Sequence, residues 1–192
     1  MYGTASSTPA DFEPRTQGEQ HNYGSASPYL SRGETMTVNI GLSDKQRNAV
    51  VSILNTVLAD EFVLYTKSRR FHWNVEGPDF SELHEFFEKQ YDQLGEIMDR
   101  VAERARALGG VAAGSLEEYL SLTRLKEEPR NRYDAGEMIR ALLADHETLI
   151  RGLRKDLETC SRKHGDEGTT DFLTGLMQDH EKIAWMLRAY VR

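Results

Sequence analysis

The chain has 192 residues, enough for one domain with a sizeable core, and its 39% hydrophobic and 29% charged residues are typical of a soluble helical protein. A formal net charge of −7 makes nucleic acid an unfavourable default partner, because DNA binding depends on Lys and Arg side chains that neutralise phosphates. No continuous apolar run approaches the roughly 18 residues of a membrane span, no signal peptide is visible, and the single Cys160 cannot form an internal disulfide, so we expect a cytoplasmic protein without membrane contact.

The first 42 residues differ in composition from the rest of the chain. They are rich in Ser, Thr, Gly and Pro and show no helical period, which predicts a flexible N-terminal arm over residues 1–42. Two basic residues, Arg15 and Arg32, stand against four acidic ones, so the arm is not a cationic DNA-binding tail. Its aromatic residues and His21 leave open docking on a neighbouring subunit or weak metal binding.

Apolar residues recur at helical spacing in four long segments of residues 43–192, which predicts four amphipathic helices and no strand. The first segment opens with a capping box of Ser43 and Gln46, and the second ends at Gly109-Gly110, a strong termination signal. The predicted helices cover about 43–75, about 80–108, about 134–163, and about 170 to the C-terminus.

A further short helix is predicted at about residues 115–122, inside the connection between the second and third long helices. The other connections are short, so a single long crossover joins the two halves of the bundle. The sequence therefore predicts an all-α fold, a ferritin-like four-helix bundle with a short helix in the middle crossover.

The second helix carries two pairs of potential metal ligands on one face. His84 and Glu88 are four residues apart, and so are Asp99 and Glu103. The 11 residues from Glu88 to Asp99 turn the helix by about 1100°, so both pairs point almost the same way. They also rise by about 16 Å, whereas metal ligands lie within roughly 2–2.6 Å of the ion, so one helix cannot bring both pairs to one metal.

A two-fold axis can bring the two pairs together. If the helix lies antiparallel to its own copy, the His84–Glu88 pair of one subunit faces the Asp99–Glu103 pair of the other, and two equivalent sites form. His72, at the end of the first helix, could fold back toward the same place. Two imidazoles and three carboxylates suit divalent iron, with Zn, Mn or Co as competitors. The Glu-x-x-His pattern of the site that ordinary ferritins build within one subunit is missing from the sequence.

The motif F-H-W-N-V-E-G from Phe71, followed by F-x-x-L-H-x-x-F from Phe80 and D-x-x-A-E-R from Asp99, resembles the Dps mini-ferritins. Among ferritin relatives, these proteins are expected to lack the single-subunit site and to use a subunit interface instead. The resemblance covers roughly residues 43–192. It implies a spherical dodecamer that oxidises Fe(II), preferentially with hydrogen peroxide, and stores ferric mineral inside.

The same resemblance implies roles for the ligand residues. His72 and His84 bind iron together with an acid one turn on. That acid is Glu88, where the family usually has Asp. The pair Asp99 and Glu103 comes from the two-fold-related subunit. Because glutamate reaches one methylene further than aspartate, Glu88 should remain a ligand but alter metal spacing or affinity.

Three more residues take roles from the resemblance. Trp73 is expected to donate an electron and quench an oxidising equivalent, with simple packing at the subunit interface as the alternative. Asp166 and Asp171, at the start of the last helix, are expected to line pores at the three-fold axis, where a ring of carboxylates would attract Fe²⁺. The alternative is that Asp171 only favours a helix N-terminus.

The sequence therefore predicts a ferroxidase, an oxidoreductase acting on iron, which stores that iron and protects against oxidative stress. The alternative is a DNA-shielding nucleoid protein with weak or no ferroxidase activity. The acidic charge and acidic arm make DNA binding weak or absent by expectation. Two further histidines, His146 and His180, lie outside the family site and are expected to be structural or surface residues.

Overall fold

The computed structural model describes residues 38–127 and 133–191, and within those ranges it contains five helices and no strand. The predicted all-α class is confirmed. Of the predicted arm, only residues 38–42 fall inside the described ranges. The helices are α1 Asp44–Asn74, α2 Phe80–Ala107, α3 Leu116–Leu122, α4 Ala135–His164 and α5 Glu167–Tyr190.

Three helices begin at reciprocal capping boxes, in which each partner's side chain accepts the other's backbone N–H. α4 ends at Gly165, whose φ of 62° lies in the left-handed region that glycine adopts without steric cost. These signals are local, so the predicted bounds of the first four helices match the structure to within one residue. The boxes are Ser43–Gln46, Ser115–Glu118 and Asp134–Glu137.

α5 begins at Glu167 rather than near Thr170, so the predicted start was three residues late. Asp166 is its N-cap, and its carboxylate accepts the backbone N–H of Thr169 at 2.9 Å. As a result, Asp171 lies in the second turn of α5, whereas the predicted start near Thr170 put it in the first turn.

The core lies between the four long helices. α1 packs mainly on α2, α4 packs mainly on α5, and α1 also contacts α4. Each fully buried large apolar side chain contributes about 1.5–3 kcal/mol relative to exposure, so this core supplies most of the driving force for folding. Representative fully buried residues are Phe71, Phe87, Leu94, Leu142, Leu153 and Leu173.

The crossover is anchored to the bundle by one buried carboxylate. Asp60 of α1 is completely buried and accepts hydrogen bonds from the Thr123 hydroxyl and from the backbone and side chain of Arg124. Arg124 also pairs with Asp156 of α4 at 2.7 Å. The segment that follows α3 is thereby tied to α1 and α4, although α3 itself has no buried residue.

α1 is long and apolar enough to cross a bilayer by length and composition alone. Counting consecutive apolar residues missed this, because a spanning stretch tolerates a few charges. More than half of its most apolar 18-residue window is buried within the protein. The apolar face, with Val50, Leu54 and Leu64, belongs to the bundle core.

Candidate metal centre

His72 and His84 lie face to face where the chain turns from α1 to α2. Their ring centroids are 3.7 Å apart, and the ring planes are inclined by 23°. The Nδ1 atom of each ring lies 2.8 Å from the backbone oxygen of the other residue. Because a carbonyl oxygen only accepts, each Nδ1 carries the proton and donates it. In the neutral imidazole with its proton on Nδ1, Nε2 carries the lone pair, which is the form that binds metal.

The turn between the two helices produces this pairing. The backbone N–H of Val75 donates to the Phe71 carbonyl and closes α1. Gly77 has a φ of 115°, which an L side chain rarely adopts, and it lets the chain reverse within a few residues. The structure thus brings His72, only 8% exposed, back against His84 as the sequence analysis envisaged.

Glu88 lies one turn beyond His84 on α2 and is exposed. The Tyr91 hydroxyl donates to Glu88 Oε1 at 3.2 Å. Desolvation, followed by the negative charge of Glu88, raises the pKa of Tyr91, so the hydroxyl keeps the proton that it donates. One carboxylate oxygen of Glu88 is therefore engaged within the chain.

Asp99 and Glu103 are also exposed, but they are not brought to the histidine pair within one chain. α2 continues without interruption from Glu88 to Asp99, which keeps them about 16 Å apart along the helix axis. Among the described residues, no group of three His, Cys, Asp or Glu side chains converges on a point that could hold a metal ion. A complete site across a two-fold axis therefore stays a prediction.

Trp73 follows His72 directly in the chain and is 66% exposed. The guanidinium carbon of Arg69 lies 5.5 Å from the centre of its indole ring, within cation–π range. A large aromatic ring thus lies on the surface beside the histidine pair.

The two predicted pore residues have different surroundings. The Asp166 side chain is 4% exposed, caps α5, and forms a salt bridge of 3.1 Å with Arg104 of α2. Asp171 and Glu167 are exposed. Within one chain, the charge of Asp166 is compensated, whereas the two exposed carboxylates are available to solvent.

A buried polar cluster was missed by the sequence analysis. His146 of α4, His180 of α5 and Glu61 of α1 are all fully buried, so the surface alternative for the two histidines is wrong. The two Nδ1 atoms lie 2.9 Å apart, and His180 Nε2 lies 2.8 Å from Glu61 Oε1. Burial, and then the charge of His180, holds the pKa of His146 well below its usual value.

A signal for this cluster is present in the sequence. Each histidine continues the apolar stripe of its helix, because His146 lies four residues after Leu142 and His180 lies four residues after Leu176. Apolar periodicity therefore places both on the core-facing side. It carries no information about Glu61, the partner of His180, which lies on a third helix.

The chain is similar to known proteins over most of its length. Residues 51–192 match the sequence profile of the ferritin-like domain family. Over 154 residues the chain is 47% identical to an uncharacterised low temperature-induced protein from Nostoc, covering 80% of this chain and 86% of that protein. Over 142 residues it is 39% identical to DNA protection during starvation protein 2 of Bacillus anthracis, covering 74% and 96%.

Solved structures share the arrangement of helices. A Dps protein from Vibrio cholerae, described as a member of a broad superfamily of ferritin-like diiron-carboxylate proteins, matches with a TM-score of 0.76 at 32% identity, covering 83% of this chain and 100% of that chain. DpsC from Streptomyces coelicolor matches with a TM-score of 0.78 at 27% identity, covering 85% and 96%.

Proposed function

This chain belongs to the Dps family of ferritin-like proteins, and we propose that it oxidises Fe(II), preferably with hydrogen peroxide, and stores the ferric product in a hollow cage. Membership of this family by itself supports roles in iron storage and stress protection. The main observation that supports iron oxidation is the His72–His84 pair, in which backbone carbonyls engage both Nδ1 atoms and leave Nε2 of each ring for a metal.

The chemistry of the proposed site follows from its donor set. The two imidazoles and the Glu88 carboxylate bind Fe²⁺ as substrate, and ionised carboxylates favour the higher charge of Fe³⁺ and so promote its oxidation. Two Fe²⁺ ions deliver two electrons to one peroxide, which takes up two protons and leaves as two waters. Because the peroxide bond is cleaved by a pair of electrons, free hydroxyl radical is avoided.

A second copy of the chain completes the proposed site. An antiparallel α2 from a two-fold-related subunit supplies Asp99 and Glu103, so the ferroxidase exists only in the assembled oligomer, which we take to be a dodecamer. Large apolar side chains on the surface of the described chain support burial between subunits. These include Trp73, Phe80, Leu116, Leu120 and Trp185.

Iron is proposed to reach the interior through acidic pores at the three-fold axis, lined by Asp171 with Asp166 and assisted by Glu167. Arg104 compensates the charge of Asp166, so the exposed Asp171 supplies more of the attraction for Fe²⁺. Trp73 is proposed to supply an electron when only one iron is bound. The protein is proposed to act in the cytoplasm.

DNA binding is proposed to be weak or absent. Twelve subunits of formal charge −7 would carry a large negative charge, which repels a polyanion. Tight retardation of DNA in a gel, resistant to moderate salt, would instead favour the shielding role.

The test is anaerobic loading with Fe²⁺ followed by one addition of hydrogen peroxide, with ferric absorbance and peroxide consumption recorded together. We expect oxidation much faster than in protein-free buffer, at about two irons per peroxide. Replacing His72 and His84 together by Ala should slow this oxidation while leaving the cage intact. His164→Ala, which changes a histidine outside the site, is the matched control. An unchanged rate in the double variant would contradict the site assignment.

A further inference from the structure

Tyr91 contacts two of the proposed iron ligands at once. Its hydroxyl donates to Glu88 Oε1 at 3.2 Å. Its ring meets the His72 imidazole edge-on, with centroids 5.2 Å apart and planes inclined by 79°. One side chain therefore links the carboxylate and an imidazole of the proposed site.

The Tyr91 ring is itself held in place from a second side. The guanidinium carbon of Arg69 lies 5.1 Å from the ring centre. The ring of Tyr65 packs against Tyr91 with centroids 6.1 Å apart and planes inclined by 85°, and its hydroxyl accepts a hydrogen bond from Arg69. The orientation of Tyr91 is thus set by contacts with α1 that do not involve Glu88.

We propose that Tyr91 is a positioning residue for the iron site, an inference that rests on the proposed function. Its hydroxyl holds one oxygen of Glu88, which leaves the other oxygen to face the metal. A glutamate has one more rotatable bond than the aspartate usual at this position, so a free Glu88 would lose more conformational freedom when it binds. The hydrogen bond restricts that freedom in advance, and the ring limits rotation of His72.

The direction of the hydrogen bond supports this role. The Tyr91 hydroxyl is the donor and Glu88 Oε1 is the acceptor, so the contact occupies only one of the two carboxylate oxygens. An aspartate at position 88 would end one methylene short of the same hydroxyl. Glu88 and Tyr91 therefore act as a matched pair.

The test measures metal binding without oxidation. Co²⁺ serves as the probe, because its visible absorption reports nitrogen ligation and it needs no oxidant. Tyr91→Phe keeps the ring and removes only the hydroxyl, and we expect Co²⁺ affinity to fall by about 10-fold or more, as is typical when an outer partner of a ligand is lost. Tyr119→Phe is the control, because it removes a hydroxyl that donates one bond of 3.0 Å to the Ala113 carbonyl. Its affinity should match wild type.

A double-mutant cycle separates positioning from general packing. If Tyr91 acts through Glu88, then Tyr91→Phe should have no further effect on Co²⁺ affinity in a Glu88→Ala background. Losses that add independently would overturn the proposal, as would unchanged affinity in Tyr91→Phe alone. Size-exclusion chromatography with light scattering checks that each variant assembles as wild type does.

The His72→Ala/His84→Ala variant distinguishes failure of this proposal from failure of the proposed function. If Co²⁺ binding survives that change undiminished, the site assignment and the positioning role both fall. If the histidines are needed for Co²⁺ but wild type oxidises no iron, the ferroxidase proposal fails while the positioning of Glu88 is still decided by the cycle.

Discussion

The bundle contains two pairs of histidines whose rings meet different kinds of partner. In the His72–His84 pair, each Nδ1 lies 2.8 Å from the backbone oxygen of the other residue. In the buried pair, the Nδ1 atoms of His146 and His180 face each other, and His180 Nε2 faces Glu61. The same side chain thus bonds to the backbone in one region and to other buried side chains in the other.

The contacts within the buried cluster determine which nitrogen atoms of His146 and His180 donate hydrogen bonds. The Glu61 carboxylate accepts when ionised, so His180 Nε2 donates to it, and one proton lies between the two Nδ1 atoms. A second proton on His146 is opposed by burial, which lowers its pKa. His146 Nε2 and Glu61 Oε2 are buried atoms without a hydrogen-bond partner in the structure. Removal of any one of the three side chains would therefore leave a buried polar group without its hydrogen-bond partner.

The largest effect is expected from His180→Ala. It removes the partner of two buried groups and leaves the Glu61 carboxylate uncompensated, which should lower the free energy of unfolding by about 3–5 kcal/mol. Urea denaturation at neutral pH measures this, with His164→Ala as the control. A loss below about 1 kcal/mol, the scale of an ordinary surface change, would mean that the buried pair is no more essential than a solvated one.

Acidification should weaken the buried cluster next. The unfolded chain protonates His146 near its ordinary pKa of about 6.5, while the folded chain resists that proton. Stability is therefore complete above about pH 6.5 and is lost as the pH falls below it, by up to about 1.4 kcal/mol per pH unit from this group.

His146→Phe tests that pH dependence, because it removes the titrating ring. The variant should show a shallower loss of stability between about pH 6.5 and 5 than wild type, even if its stability at pH 7 is lower. Thermal melts across this range supply the slopes. Parallel curves for the two proteins would assign the pH dependence to other groups.

The two predicted pore residues differ in the same way, because Asp166 is paired with Arg104 and Asp171 is exposed. Asp166→Ala removes an N-cap and the partner of Arg104, so it should cost about 1–2 kcal/mol of stability. Asp171→Asn should leave stability within about 0.5 kcal/mol of wild type and slow Fe²⁺ uptake. Stopped-flow uptake and denaturation are measured on both variants. Equal losses of stability in the two variants would contradict a structural role that is specific to Asp166.

The smallest effect on stability is expected from Trp73→Phe, because Trp73 is 66% exposed and the change should stay within about 0.5 kcal/mol. If Trp73 donates an electron to the iron site, spin trapping should detect more radical in this variant when iron is limiting. Trp185→Phe, at an indole 64% exposed, is the control. Equal radical yields in both variants would leave Trp73 with a packing role.

Much of the fold was readable from local signals in the sequence. Capping boxes, apolar periodicity and the glycines after helices act over a few residues, so they predicted the first four helices closely. The same holds for the relation of His84 to Glu88, because a helix puts residues four apart on one face. Only the start of α5 differs by more than one residue, because the helix begins directly after its cap Asp166 rather than near Thr170.

Tertiary structure alone decided which polar groups meet across elements. Glu61 and His180 are 119 residues apart, and their contact depends on how α1 and α5 pack. Likewise, Arg104 compensates Asp166 only because α2 ends beside the start of α5. Periodicity states which face of a helix is buried, but it does not state what lies opposite. The sequence by itself therefore determined the helices and the spacing of the candidate ligands along α2, while packing decided which partners each histidine meets.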